Sequence, residues 1–224
     1  MNNLDTLIQT LLINALPVLF AITLHEAAHG YVARFFGDPT AEVMGRISLN
    51  PARHIDWMGT VIMPALLYFA TSGAFVLGYA KPVPVNFSRL RHPKRDMIWV
   101  ALAGPASNLA QAFLWAIFLV VLAAFDVRER FFIEMGQAGV SWNLVMWAFN
   151  LFPLPPLDGG RILVGLLPWK QAALLSRVEP WGFFIVMGLV LAGIVSRFWL
   201  QPLMSLGYLL INLLILTPAA AYLH

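Results

Sequence analysis

Stretches without Asp, Glu, Lys or Arg run from Thr6 to Leu24, Gly59 to Ala80, Met97 to Phe125, Met135 to Leu157, Pro180 to Ser196 and Phe198 to His224. An α-helix rises about 1.5 Å per residue, so about 20 apolar residues cross a hydrocarbon layer of about 30 Å. All of these stretches reach that length except Pro180 to Ser196, which is near the lower limit. The pattern predicts an all-α polytopic membrane protein with five to six transmembrane helices. The first helix is expected over Leu7 to about Phe36, with Pro17 as a tolerated kink and Gly37-Asp38-Pro39 as its stop. Gly59 to Ala80 is interrupted by Pro64, Gly73 and Gly78 and is expected to enter the bilayer and return, as a re-entrant or membrane-associated segment. On either side of it, Glu42 to Pro51 alternates like a strand, and the two prolines of Lys81 to Asn86 forbid a helix. Together they predict a small surface β-sheet.

Composition supports this class. Of the 224 residues, 60% are hydrophobic and 11% charged, against roughly 25% charged in a soluble domain. One membrane-embedded domain is expected over 1–224, with a core over about 7–165 and C-terminal helices over about 180–224. The first apolar run lacks a basic leader and continues into polar chemistry, so it does not read as a cleaved signal peptide. Cysteine is absent, which excludes disulfides and thiolate catalysis. The net charge of +3 sits in the loops between apolar runs, so it gives no nucleic-acid signal and bears instead on orientation.

The chemistry begins at the end of the first run, with Leu24-His25-Glu26-Ala27-Ala28-His29-Gly30. Four residues apart on a helix, the two imidazoles share a face and can reach one metal ion. Zinc suits nitrogen donors in a tetrahedral site that keeps a position open for water. Glu26 stands beside the first histidine, where a carboxylate can take a proton from that water. Ionisable side chains at membrane depth are costly, which makes a functional role the default reading. Further polar residues mark two later runs. Ala103-Gly104-Pro105-Ala106-Ser107-Asn108 reads either as a helix-packing seam or as part of a site. Asn150-Leu151-Phe152-Pro153-Leu154-Pro155-Pro156-Leu157-Asp158-Gly159-Gly160 breaks a helix and leaves Asp158 either as an ordinary helix-terminal aspartate or on the irregular backbone that membrane proteins tolerate where a cavity is lined.

H-E-A-A-H, A-G-P-A-S-N and N-L-F-P-L-P-P-L-D-G-G, in this order, resemble the site-2 protease family of intramembrane zinc metalloproteases. I-S-L-N-P-A-R-H-I-D and K-P-V-P-V-N are similar to its compact prokaryotic branch without a PDZ domain. The resemblance covers about residues 15 to 165. It implies one Zn²⁺ held by His25, His29 and Asp158, with Glu26 as catalytic base and Asn150 and Asn108 as further catalytic-site residues, Asn150 at the substrate or the oxyanion. Asp56-Trp57 departs from the family's Asp-Pro. His54 reads as a surface hydrogen-bonding histidine rather than an auxiliary ligand, and His92 and His224 as bland.

The expected activity is hydrolysis of peptide bonds within or near transmembrane segments of other membrane proteins, with the lipid bilayer and a transmembrane substrate as partners. A zinc-binding membrane transporter would use the same ligands without needing Glu26, and a non-catalytic membrane-binding homologue would need neither. The two ligand-bearing runs must be parallel to meet at one ion, so residues 35 to 96 must begin and end on one side. With that return, and with both of the last two runs crossing, all fourteen Lys and Arg except Arg128, Arg130 and Arg197 fall on the same side. The excess of basic residues on cytoplasmic loops then places the site nearer the cytoplasm of a prokaryotic cell membrane.

Overall fold

The computed structural model describes residues 3–53, 56–62, 66 and 81–223. Helix α1 (Asn3–Phe35) carries the H-E-x-x-H motif in its last third and contains Pro17. A four-residue helix α2 (Thr40–Val43) follows. After the loop come α3 (Pro93–Ala124) and α4 (Arg130–Asn150). α5 (Asp158–Leu166), α6 (Trp169–Ser176) and α7 (Glu179–Leu191) are shorter. A continuous helical stretch over Ser196–Ala220 includes α8 (Gln201–Ile211) and most of α9 (Thr217–Leu223).

Among the described residues, Gln9–Phe35, Pro93–Ala124 and Ser196–Ala220 are long and apolar enough to cross a membrane. α6 and α7 meet at 68° and make a fourth crossing if they form one broken span. The chain is an integral membrane protein. α4 is 21 residues long but carries Arg130, Glu134, Gln137, Ser141, Asn143 and Asn150, which is why its composition alone does not mark it as a span.

α1, α3 and α4 pack into the central bundle. Lipid tails are as apolar as leucine, so association in a membrane relies on close contact and on polar groups rather than on apolar burial. Gly136 and Gly139 of α4 provide that contact, lying where a Cβ would overlap Leu119 and the Trp115 ring of α3. Ala112, Ala116, Val140, Leu144 and Ile211 form the apolar core beside them.

Cross-contacts fix the helix directions. Along α3, Val100 meets His29 and Asn108 meets both His25 and Ala21, so α3 runs antiparallel to α1. Asn108 meets Asn143, and Trp115 meets Gly139, so α3 is antiparallel to α4 as well. α1 and α4 are therefore parallel, as a shared ion requires. It follows that Phe35 and Pro93 lie at the same end of the bundle. The Arg91 N–H donates to the Phe36 carbonyl at 3.0 Å, and the Arg91 guanidinium to the Phe35 carbonyl at 2.7 Å. The chain thus leaves α1 and enters α3 at the same end of the bundle. Trp57–Ile62 forms a wide helical turn; most of Gly59 to Ala80, and His54, lie outside the described residues.

The expected small sheet does not form among the described residues. Glu42 and Val43 belong to α2 rather than to a strand. Asp38, just before that helix, accepts from the Thr40 N–H at 3.0 Å, and Gly45, at φ 62°, turns the chain out of it. Pro82 and Pro84 have no N–H with which to build a ladder. A side chain makes the connection instead: the Arg46 guanidinium donates to the carbonyls of Arg53 (2.5 Å), Lys81 (2.8 Å) and Pro82 (3.4 Å). The two segments lie side by side, as a shared sheet would require, without pairing their backbones.

Candidate metal centre and cleft

The helical spacing of four puts His25 and His29 on the face of α1 turned toward α3, and the proline-broken turn after α4 brings Asp158 opposite them. The Nε2 atoms of the two histidines are 3.0 Å apart, and Asp158 Oδ2 lies 3.2 Å from one and 3.3 Å from the other. These three residues can hold a metal ion, each offering one ligand atom within 4.8 Å of the others.

The hydrogen bonds behind the rings set their chemistry. His29 Nδ1 is 2.7 Å from the Val100 carbonyl, which can only accept, so Nδ1 carries a proton and, in the neutral ring, Nε2 presents a lone pair. His25 Nδ1 is 2.6 Å from Asn108 Oδ1. The Asn108 amide nitrogen donates to the Ala21 carbonyl at 3.1 Å and to Asn143 Oδ1 at 3.0 Å, which leaves its oxygen facing His25. His25 Nδ1 therefore donates too, and in the neutral ring its Nε2 is also a lone pair. Asp158 Oδ2 is buried without a hydrogen-bond partner. Three lone-pair atoms thus converge with nothing positive between them. Protonating both rings would set two imidazolium ions side by side in a buried place, at a steep Coulomb cost. One divalent cation satisfies all three, so the donor set fits zinc.

Gly104 makes room for this arrangement. A Cβ there would overlap His29 Nε2 and lie 2.5 Å from His25 Cε1 and 2.6 Å from His25 Nε2. The glycine in A-G-P-A-S-N, which the sequence suggests only as a packing residue, is where α3 passes directly over the two rings. The glycine pair after Asp158 works similarly. Cβ atoms at Gly159 and Gly160 would overlap the backbone of Leu151 and of Leu154 and Pro155, so the loop can fold back onto the start of α5 only without them.

A cleft of about 240 Å³ opens beside the three donors, lined by Glu26, Pro82, Val83, Asn150, Asp158 and Arg161 among others. Glu26 Oε2 accepts from the backbone N–H of Val83 at 2.7 Å, so the carboxylate is aimed by the extended Lys81–Asn86 segment. That segment is anchored in turn by Asp38, fully buried, which accepts from the Asn86 N–H at 2.6 Å. Asn150 lines the cleft and donates to the Met146 carbonyl at 3.0 Å with one amide hydrogen, leaving the other unengaged by that bond. Asn108 sits behind His25 rather than in the cleft. His92, on the surface before α3, is remote from the donors.

Four groups at this site go beyond the sequence reading: Asp38, the Val83 N–H, Asn143 and Arg161. Asn143 carried a usable signal, as a fully buried amide in an apolar run. Asp38 reads in the sequence as part of a helix stop, and nothing local reveals its partner 48 residues away. The Val83 contribution comes from the backbone, which side-chain motifs do not report.

A polytopic helical membrane protein with a three-donor metal site beside a carboxylate is the arrangement of a membrane metallopeptidase. The family model "Peptidase family M50" matches residues 13–193, and the chain belongs to this family, the site-2 proteases. It is a zinc metalloprotease. It is 36% identical over 197 residues to "Putative zinc metalloprotease YwhC" of Bacillus subtilis, covering 86% of this chain and 85% of that protein. It is 31% identical over 185 residues to "Putative zinc metalloprotease Rip2" of Mycolicibacterium smegmatis, covering 82% of this chain and 68% of that one. "Zinc metalloprotease MJ0392" of Methanocaldococcus jannaschii is 24% identical over 156 residues, 70% of this chain and 34% of its own. No solved structure matches the chain.

Proposed function

We propose that this protein hydrolyses peptide bonds within or near transmembrane segments of other membrane proteins, with His25, His29 and Asp158 holding one zinc ion. The observation that carries the reading is the convergence of His25, His29 and Asp158, the first and last of them buried, on one point of the helical bundle beside a cleft that contains a carboxylate. His25 lies sixteen residues into the candidate span Gln9–Phe35, about 24 Å along it, which supports chemistry at bilayer depth and nearer one end. Arg34, Arg46, Arg53, Lys81, Arg89 and Arg91 cluster toward that end, so the positive-inside rule assigns it to the cytoplasm of a prokaryotic cell membrane. Counting α4 and the broken α6–α7 pair as crossings gives five spans, with residues 36–92 as a membrane-associated return.

When bound, zinc acidifies a water and polarises the scissile carbonyl. The residues do the rest. Glu26, held by the Val83 N–H, takes the proton from the attacking water and returns it to the departing amine. Asn150 offers its unengaged amide hydrogen to the oxyanion. A helical substrate hides its carbonyls in its own hydrogen bonds, so it has to open locally to enter a cleft bounded by the extended Lys81–Asn86 segment. Cleavage of model transmembrane substrates by the purified full-length protein, with and without chelator, tests the reading. Unchanged cleavage after zinc is removed and verified absent would overturn it. Transport of zinc without any cleavage would favour a carrier instead.

A further inference from the structure

The two histidines are held by different means. His29 leans on the Val100 carbonyl, which no substitution removes, whereas His25 leans on a side chain. That side chain belongs to a chain of amides linking all three bundle helices: Gly139 C=O accepts from Asn143 Nδ2 at 2.9 Å, Asn143 Oδ1 accepts from Asn108 Nδ2, and Asn108 Oδ1 accepts from His25 Nδ1. Asn108 and Asn143 are both fully buried. An amide can point either way round, and its orientation is set by its partners. Here the backbone carbonyls of Gly139 and Ala21, which can only accept, resolve each choice in turn. Gly139 turns the Asn143 oxygen toward Asn108, and that oxygen together with the Ala21 carbonyl turns the Asn108 oxygen toward His25.

We infer that Asn108, anchored by Asn143, is a positioning residue that locks His25 in the tautomer with the proton on Nδ1, and so keeps Nε2 open for the metal. Asn108 takes no part at the cleft. Its function is to prevent the alternative tautomer, in which Nε2 carries the proton and cannot bind metal. Asn143 holds the amide against rotation, and because Ala21 also holds it, the loss of Asn143 does less harm than the loss of Asn108. Partners of metal-bound histidines commonly contribute about 10–100-fold to metal affinity. The effect expected for Asn108→Leu is at the upper end of that range and for Asn143→Leu at the lower.

The inference rests on His25 being a zinc ligand, and the experiment separates the two. Full-length protein with ¹⁵N-histidine is purified in detergent, and the His25 tautomer is read by NMR in the metal-free state. Cobalt affinity and the ligand-field spectrum of bound Co²⁺ are measured on the same samples. Asn108→Leu is expected to bring the Nε2-protonated form into the spectrum and to weaken cobalt binding. Asn143→Asp is the conservative control. A buried, protonated aspartic acid donates from one oxygen to Gly139 and accepts from Asn108 on the other, so it is expected to restore both readings where Asn143→Leu does not. An Asn108→Leu protein whose His25 tautomer is unchanged overturns the inference. Equal cobalt losses for Leu and Asp at 143 also overturn it, because packing alone would then account for the effect. A tautomer change without loss of cobalt removes His25 from the ligand set, and with it the premise on which the inference rests. If Asn108→Leu does not fold, the Asn143 pair decides by the same criteria.

Discussion

The central bundle and the C-terminal helices are both apolar in sequence, yet their apolar surfaces serve different ends. In α1, α3 and α4 the interior holds Thr23, His25, Asn108, Gln111 and Asn143, all buried, and glycines let the helices close around them. In α7 and the stretch after Ser196, large side chains such as Phe183, Phe184, Leu191, Phe198 and Leu213 are exposed, and the surface they present suits lipid. The C-terminal part joins the bundle through Ile211 in the apolar core, through the Trp199 indole N–H donating to the Ala148 carbonyl at 2.8 Å and through the Phe152–Trp199 ring contact. In a membrane, apolar residues mark where the chain resides, while polar and very small residues mark where it is built to one shape.

The largest effect expected from testing this contrast is at Glu26. Glu26→Gln should retain zinc, because the carboxylate is not among the three converging donors, and should lose about a hundredfold to ten-thousandfold in turnover. Metal analysis beside a cleavage assay separates the two, and normal cleavage by this variant would end the proposed chemistry. The next effect compares one chemical change in both regions. Gly104→Ala drives a methyl into the two imidazoles and should abolish stoichiometric zinc binding. Gly188→Ala in α7 meets nothing within 4 Å and should leave zinc and activity alone while adding about 0.5–1 kcal/mol from helix propensity. Similar zinc contents in the two variants would show that α3 does not pass over the histidines as described.

A step smaller is Asn150→Ala, expected to cost about a hundredfold in turnover, as the loss of one oxyanion donor does elsewhere, with zinc retained. Loss of zinc together with activity would make Asn150 structural. The mildest perturbation probes the ends of the bundle. The chain has no cysteine, so single cysteines report cleanly. Val43, 80% exposed, and Arg91 are suitable positions; Asp38 is not, being buried under Thr40 and Asn86. Both cysteines should react from the same face of sealed vesicles with activity intact. Reaction from opposite faces would contradict the return of residues 36–92.

The sequence by itself determined the class of protein and the course of its longer apolar helices, and it supplied the four residues on which the proposed chemistry rests. Those features are local or periodic: a spacing of four on one helix, runs without charge, prolines that end α4 before Asp158. The parallel course of α1 and α4 was also legible, because two ligands at similar depths on two runs leave no other way to meet. Tertiary structure decided what depends on partners distant in the chain. The strand-like alternation of Glu42 to Pro51 did not become a strand: Glu42 and Val43 end α2, Gly45 turns the chain, and Pro82 and Pro84 cannot form a ladder. Gly104 became a cradle for two rings only once α3 crossed α1, and Asp38 an anchor only once Asn86 returned to it. Asn108 was placed behind a histidine rather than at the cleft by the Ala21 and Asn143 groups that orient its amide. An amide's direction is set by whatever surrounds it in three dimensions, and no pattern along the chain encodes that.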